Sequence, residues 1–385
     1  MFKILKKSKK SKARLGVLTT AHGRVDTPFF MPIATKGAVK SLTSGELKKL
    51  GAQIILSNTY HNYIRPGVEV FKKFGGLHNF MQTDLPILTD SGGYQVFSLS
   101  NLRKIIGDSV RFRSYLDGAY HTLDPKKVID IQVVLGSDIM MVLDECVELP
   151  TTRAKALRAV ERTSRWAQLA FDYKNKLNKK STKIKKQLLF GIVQGGDYRD
   201  LRLRSAQELT SIPFDGYAVG GLAVGEPNET MYKVLDYTVP ELPENKPRYL
   251  MGVGYPENII ESVKRGIDMF DCVIPTREAR HGKLYNFSSS QDRGSKSRSL
   301  TRGKFSSRQA RANSFYETIQ ITRGKFKADK TPINQGSLKN YSRAYLHHLF
   351  KSEDPLALRL ATINNLEFYL QLMKEIGVAI KTEKL

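Results

Sequence analysis

Eight short apolar runs rich in β-branched residues recur along the chain, at residues 31–34, 54–57, 87–90, 139–144, 189–194, 217–221, 249–252 and 270–273, and each ends in small or polar side chains. Most gaps between them carry helix-period patterns, at residues 44–50, 125–135, 152–177, 200–209, 229–239 and 257–265. Continuous apolar runs are what parallel strands buried on both faces look like, and a helix is the usual return path between them. Asp124-Pro125 and Pro256-Glu257 mark two helix starts, because the fixed φ of proline suits the first helical turn. Eight such units predict an α/β fold, a (β/α)8 TIM barrel, with functional groups at the carboxyl ends of its strands. A doubly wound open sheet fits less well. No Gly-x-Gly-x-x-Gly follows an early strand, and polar residues close many strands rather than one switch point.

With 385 residues, 41% of them hydrophobic, the chain can fill a barrel core. Residues 110–123 alternate polar and apolar types around Asp117-Gly118, which predicts an inserted hairpin. The lysine-rich stretch 174–186 reads mainly as a mobile loop, and residues 288–313, rich in Ser, Arg and Lys, lack any period. Helical patterns return after Thr331-Pro332. The expected division is a catalytic barrel over 1–285, a basic insertion and linker over 286–330, and a helical subdomain completing the barrel over 331–385.

The formal net charge of +25 points to a long polyanion, with nucleic acid the leading partner. Two cysteines, Cys146 and Cys272, build neither a disulfide framework nor a Cys-x-x-Cys metal pair, which fits a reducing compartment. No stretch has the length and apolarity of a membrane span, and the lysine-rich amino terminus lacks the apolar core of a signal peptide. A cytoplasmic protein is expected.

Two of the runs end in aspartate, Asp90 in Leu88-Thr89-Asp90-Ser91-Gly92-Gly93-Tyr94 and Asp271 in Phe270-Asp271-Cys272-Val273-Ile274-Pro275-Thr276-Arg277. A pair of carboxylates can divide the work at a glycosidic bond, one attacking the sugar carbon and the other moving a proton to and from the leaving group. Taken singly, each aspartate is as well explained as a cap for the helix or turn that follows it. The remaining strand ends read Leu-Asp-Glu-Cys, Val-Gln-Gly-Gly, Gly-Gly-Leu-Ala-Val-Gly-Glu and Leu-Met-Gly-Val-Gly, and Asn340-Tyr341-Ser342-Arg343-Ala344-Tyr345-Leu346-His347-His348 lies near the end.

In this order the motifs resemble those of the tRNA-guanine transglycosylases, over nearly the whole chain from about residue 12. The resemblance implies exchange of the wobble guanine of GUN-anticodon tRNAs for a 7-deazaguanine base by double displacement, through a covalent aspartyl-tRNA intermediate. It makes Asp271 the nucleophile and Asp90 the proton donor and acceptor. Asp144 and Gln194 match positions that bind the edge of the base, and Gly220, Gly221 and Leu222 a wall where backbone groups approach it. Tyr94 and Met251 would sandwich the ring, with Ser91 and Gly93 in the same pocket. Cys146 beside Val224 resembles the bacterial type that takes 7-aminomethyl-7-deazaguanine, with the Leu222 carbonyl and Glu226 receiving its ammonium group.

The resemblance also implies two anticodon-gripping segments, Gly252-Val253-Gly254-Tyr255-Pro256-Glu257-Asn258 and Thr276-Arg277-Glu278-Ala279-Arg280. Tyr255 and Glu278 depart from the family's usual Lys and Asn. The family's structural zinc is expected to be absent, because its ligand positions are Ile333, Gln335, Leu338 and Asn364, none of them a thiolate or imidazole. No cofactor is therefore expected; tRNA, a 7-deazaguanine base and a second copy in a homodimer are the expected partners. Two other functions compete, a non-catalytic tRNA-binding subunit and a deazaguanine transglycosylase acting on DNA or at another tRNA site.

Overall fold

The computed structural model of the protein describes residues 1–99, 103–114, 116–288 and 315–385. Most of the basic stretch 288–313, and with it the middle of the segment 286–330, lies outside the described residues. An antiparallel sheet opens the chain, with β1 (Phe2–Lys7), β2 (Arg14–Thr20) and β3 (Gly23–Thr27) in that order. The barrel strands follow: β4 (Phe29–Met31), β5 (Ile33–Ala34), β6 (Ile55–Asn58) and β7 (Ile87–Asp90). After β8 (Arg103–Ile106), β9 (Ser109–Arg113) and β10 (Tyr120–Leu123), which form a separate antiparallel sheet, the barrel resumes. Its remaining staves are β11 (Ile139–Met141), β12 (Leu188–Val193), β13 (Gly216–Val219), β14 (Arg248–Leu250) and β15 (Met269–Asp271). A hairpin of β16 (Lys283–Phe287) and β17 (Tyr316–Gln320) leads to the carboxy-terminal helices.

The nine-stranded parallel sheet runs β4-β15-β14-β13-β12-β11-β7-β6-β5. β4 and β5 are one stave interrupted at Pro32, which has no N–H to donate; β4 pairs with β15 and β5 with β6, so the sheet closes on itself. Nine segments thus make eight staves of a TIM barrel, in agreement with the eight apolar runs. The predicted hairpin around Asp117-Gly118 is the β9–β10 pair, with β8 as an unexpected third strand.

Local chemistry accounts for the helix positions. The helix Pro125–Leu135 begins where the Asp124 carboxylate accepts the Lys127 N–H at 2.9 Å and ends at Gly136, whose φ of 71° lets the chain turn left-handed. The stretch 174–186 differs from its loop expectation: one helix runs Arg153–Asn178 and a short one Thr182–Lys185. Lys174 is buried there, its ammonium donating to Asn178 Oδ1 at 2.6 Å and to the Ile184 carbonyl at 2.9 Å, so the hydrogen bonds order what composition alone reads as solvated.

The sheet β1–β3 lies across the amino-terminal end of the barrel. Arg14 makes a bidentate contact with Asp268, at 2.9 and 2.6 Å, just before β15. His22 and His78 stack with ring centroids 3.6 Å apart and address the two oxygens of Asp138, at 2.9 and 3.3 Å, just before β11. The stacked pair thus makes two separate contacts to one carboxylate, His22 through Nδ1 and His78 through Nε2. The long helix Pro355–Lys381 serves two cores. Ala357, Leu360 and Ala361 pack with Ile333, Leu338, Leu346 and Leu349, while Phe368, Tyr369, Leu372 and Ile376 join the barrel. Among the described residues no helix is long and apolar enough to cross a membrane.

Candidate active site

Asp90 closes β7 and Asp271 closes β15; Gln194, Gly220 and Met251 are the first residues past β12, β13 and β14, and Asp144 lies three past β11. Their common position at the carboxyl ends of the strands brings all six to one cavity of about 520 Å³.

Asp271 is 8% exposed, and its Oδ1 accepts both the Tyr249 hydroxyl at 2.6 Å and the Gly252 N–H at 2.8 Å. No donor meets Oδ2 among the described residues, so one oxygen of this cavity-lining carboxylate is held and the other is uncommitted. Burial raises the Asp271 pKa above the usual carboxylate value, opposed by the hydroxyl and the amide. Asp90 accepts Asn58 Nδ2 at 2.6 Å on Oδ2, and the amides of Thr59 and Gly92, each at 3.1 Å, on Oδ1. Burial, with a smaller contribution from the charge of Asp271, pushes it up to about 7. No cation forms an ion pair with either carboxylate among the described residues.

Asp144 and Gln194 meet directly, Gln194 Nε2 donating to Asp144 Oδ2 at 2.8 Å, while the Ser91 hydroxyl donates to Oδ1 at 3.0 Å. Burial lifts Asp144 to about 6 against these bonds. The second Nε2 hydrogen of Gln194 remains for another acceptor, and its Oε1 is buried without a partner. Two glycines are sterically required beside this pair. A Cβ on Gly93 would fall 2.5 Å from the Asp144 carbonyl, and one on Gly221, where φ is +64°, would fall 2.6 Å from Gln194 Oε1.

Tyr94, half exposed, and Met251 also line the cavity, as do Leu222, Val224 and Cys146. Burial, then the charge of Asp144, pushes the Cys146 thiol up to about 12, so it acts as a neutral wall. Glu226 does not line the cavity. Its carboxylate accepts the amides of Ala223 and Val224, the latter at 3.0 Å. Because C=O and N–H of one trans peptide point opposite ways, this turns the Leu222 carbonyl away from Glu226. Asn58 and Tyr249 line the site too, and sequence reasoning missed both. Asn58 is legible as the polar residue after the run 54–57, but no local signal marks Tyr249.

Gly252, Val253, Gly254, Tyr255, Asn258 and Arg277 reach the cavity, whereas Pro256, Glu257, Thr276, Glu278, Ala279 and Arg280 do not. Several of these twelve are committed elsewhere. Asn258 accepts the Tyr232 hydroxyl at 2.6 Å, Glu257 accepts that of Tyr316 at 2.8 Å, and Glu278 pairs with Lys283 at 2.8 Å. Arg280 donates to the Thr276 carbonyl at 3.1 Å, and Ala279 is fully buried. Tyr255 and Arg277 are exposed at the rim.

The expected zinc positions do not form a donor set. Ile333 and Leu338 are buried in an apolar cluster, Gln335 is exposed, and Asn364 donates to the Tyr285 carbonyl at 3.0 Å. Glu367 ties this loop to the last helix instead, accepting Asn334 Nδ2 at 3.0 Å and the Ser337 hydroxyl at 2.6 Å.

Comparison with known proteins adds an independent line. The family model described as Queuine tRNA-ribosyltransferase matches residues 8–385. The queuine tRNA-ribosyltransferase of Caldanaerobacter subterraneus subsp. tengcongensis is 48% identical, covering 100% of this chain and 94% of that protein. That of Halothermothrix orenii is also 48% identical, with 100% and 94% covered. That of Macrococcus caseolyticus is 46% identical, with 99% and 92% covered.

Proposed function

The chain belongs to the queuine tRNA-ribosyltransferase family, and from that premise we propose how its cavity carries out the exchange. The protein is a tRNA-guanine transglycosylase, a pentosyltransferase that acts on tRNA. The wobble guanosine of a GUN anticodon enters the cavity, its base edge meeting Asp144 and the free hydrogen of Gln194 Nε2. Asp271 Oδ2 attacks the ribose carbon as the glycosidic bond breaks, and Asp90, raised to about 7, enters protonated and hands its proton to the departing guanine. The incoming base then displaces Asp271 and returns a proton to Asp90. The one observation that carries this mechanism is the pair of cation-free carboxylates, Asp90 and Asp271, in a single cavity.

The incoming base is 7-aminomethyl-7-deazaguanine in this proposal. Support comes from the Leu222 carbonyl, which Glu226 turns away from itself, an acceptor for an ammonium group with the carboxylate close behind. Tyr255 and Arg277 at the rim suit a stacked base and a phosphate. The subdomain holds together without zinc, through Ile333, Leu338 and the Glu367 bonds. The enzyme works as a cytoplasmic homodimer, a compartment that fits two free thiols.

Labelled-guanine incorporation into a tRNA with a guanine-first, uridine-second anticodon tests the proposal. Exchange by the wild type, its loss in Asp271→Ala and trapping of a covalent tRNA adduct at Asp271 are expected. Exchange persisting in Asp271→Ala would overturn the assignment of the nucleophile.

A further inference from the structure

Arg202, on the helix Arg199–Thr210, is fully buried and touches no carboxylate among the described residues. Its guanidinium donates to four backbone carbonyls: Gly196 at 2.8 Å, Val193 at 3.1 Å, Gly220 at 2.7 Å and Gly221 at 3.2 Å. Burying an arginine this way is costly, since carbonyl dipoles solvate the charge without cancelling it. The desolvation is strong enough to lower its pKa to about 10. Three of the acceptors lie in the turns that leave β12 and β13, and the fourth, Val193, is the last residue of β12; these are the two strands whose ends supply Gln194 and the glycine wall.

The direction of those bonds matters. A peptide whose C=O points at Arg202 must point its N–H the other way. The Gly220 carbonyl is held by Arg202, and the Gly221 N–H of the same peptide donates to the sulfur of Cys146, which lines the cavity. By the same geometry the Gly221 carbonyl bond turns the Leu222 N–H off the guanidinium. Neither amide has a backbone acceptor among the described residues, and the thiol sulfur that the Gly221 N–H meets is a weak acceptor that a purine carbonyl oxygen displaces. The result is a pair of adjacent N–H donors on the cavity wall, each backed by a carbonyl that a full positive charge polarises.

We propose that Arg202 is a positioning residue for base recognition: it fixes the Gly220–Gly221 and Gly221–Leu222 peptides so that their N–H groups grip the 6-carbonyl oxygen of the purine. Its charge, one peptide behind the wall, also favours the electron density that builds on this oxygen when the glycosidic bond breaks. The proposal rests on the cavity being the base site, and goes beyond it by naming what orients the wall.

The test compares guanine with 2-aminopurine, which keeps the exocyclic amine and lacks both the 6-carbonyl and the N1–H that meets Asp144, in wild type and in Arg202→Lys, so that the N1–H contribution is common to both proteins and cancels in the comparison. Wild type is expected to bind guanine the more tightly. Arg202→Lys keeps the charge but cannot span four acceptors, so guanine binding should weaken about tenfold while 2-aminopurine binding stays within about twofold, narrowing the gap to the part that Asp144 contributes. Equal weakening of both purines would mean a merely structural role and overturn the proposal. A wild type that binds neither purine would overturn the base-site reading together with it. A measurement on wild type stands even if the variant does not fold. With glycine ¹⁵N-labelled, the Gly221 amide resonance should move downfield on adding guanine and not on adding 2-aminopurine; no movement with guanine overturns the proposal.

Discussion

Strand β15 is bracketed by two aspartates, Asp268 just before it and Asp271 at its end, and the barrel treats them in opposite ways. At the amino-terminal end Arg14 clasps Asp268 with two bonds, and Asp138 likewise receives His78, the Ile87 amide and His22. Burial raises the Asp138 pKa, but these contacts outweigh it and hold the carboxyl below its ordinary value. Burial keeps Asp268 above its own in spite of Arg14, so what separates Asp268 from Asp271 is the cation beside it, not the direction of the shift. At the other end Asp271, Asp90 and Asp144 are enclosed with hydroxyls and amides only, and all three are raised. One end of the barrel spends its charges on holding the amino-terminal sheet in place. The other keeps carboxylates poised to exchange protons and attack carbon, which is the division between stability and chemistry expected of the fold.

The contrast breaks most clearly at Asp271. Asp271→Ala should lower guanine exchange on the order of 10⁴-fold, yet leave the unfolding midpoint unchanged or higher, because it removes a buried carboxylate that no cation compensates. Parallel exchange assays and thermal unfolding check both halves. The reverse pattern is expected at the other end: Arg14→Ala strands Asp268 and should cost about 3–5 kcal/mol in urea unfolding, with kcat of the folded fraction nearly intact. A large loss of kcat without loss of stability would refute the division.

A smaller effect sharpens it. The first half-reaction needs Asp90 protonated, so its rate should fall as pH rises through about 7. Asn58→Ala removes a donor that favours the ionised form, so the Asp90 pKa should rise and the alkaline limb of the single-turnover pH profile should move up by about one unit. The same change removes the cap of the helix Thr59–Ile64, costing about 1 kcal/mol of stability. The smallest effect concerns the carboxy-terminal loop. Glu367→Ala should destabilise the protein by about 1 kcal/mol, and chelator treatment of the wild type should leave its melting curve unmoved. A chelator-induced drop in the midpoint would show that a metal holds the loop after all.

Much of this site is readable from the chain, for identifiable reasons. Asp90, Gln194, Gly220 and Asp271 sit where an apolar run stops, and a run's end is visible in one dimension. Asp144 lies past its strand because β11 ends at Met141, although the apolar stretch continues to Leu143. Glu226 looks like a cavity residue from its neighbours, yet the turn at Ala223, where φ is +58°, folds its carboxylate onto the backbone. Tyr249 and Arg202 carry no signal, since each acts on atoms brought to it from another strand or helix.

The amino-acid sequence by itself determined the alternation of strand and helix, the eight staves, the aspartates at two strand ends and the missing thiolates at residues 333–338, all of them properties of residue type and spacing. Only the tertiary structure decided that Asp90 and Asp271 share a cavity, that β4 and β5 form one broken stave, and that Arg202 stands behind the glycine wall. Closure of the sheet is the physical reason. It places residues remote in sequence side by side and buries polar groups whose partners then set their charge and direction.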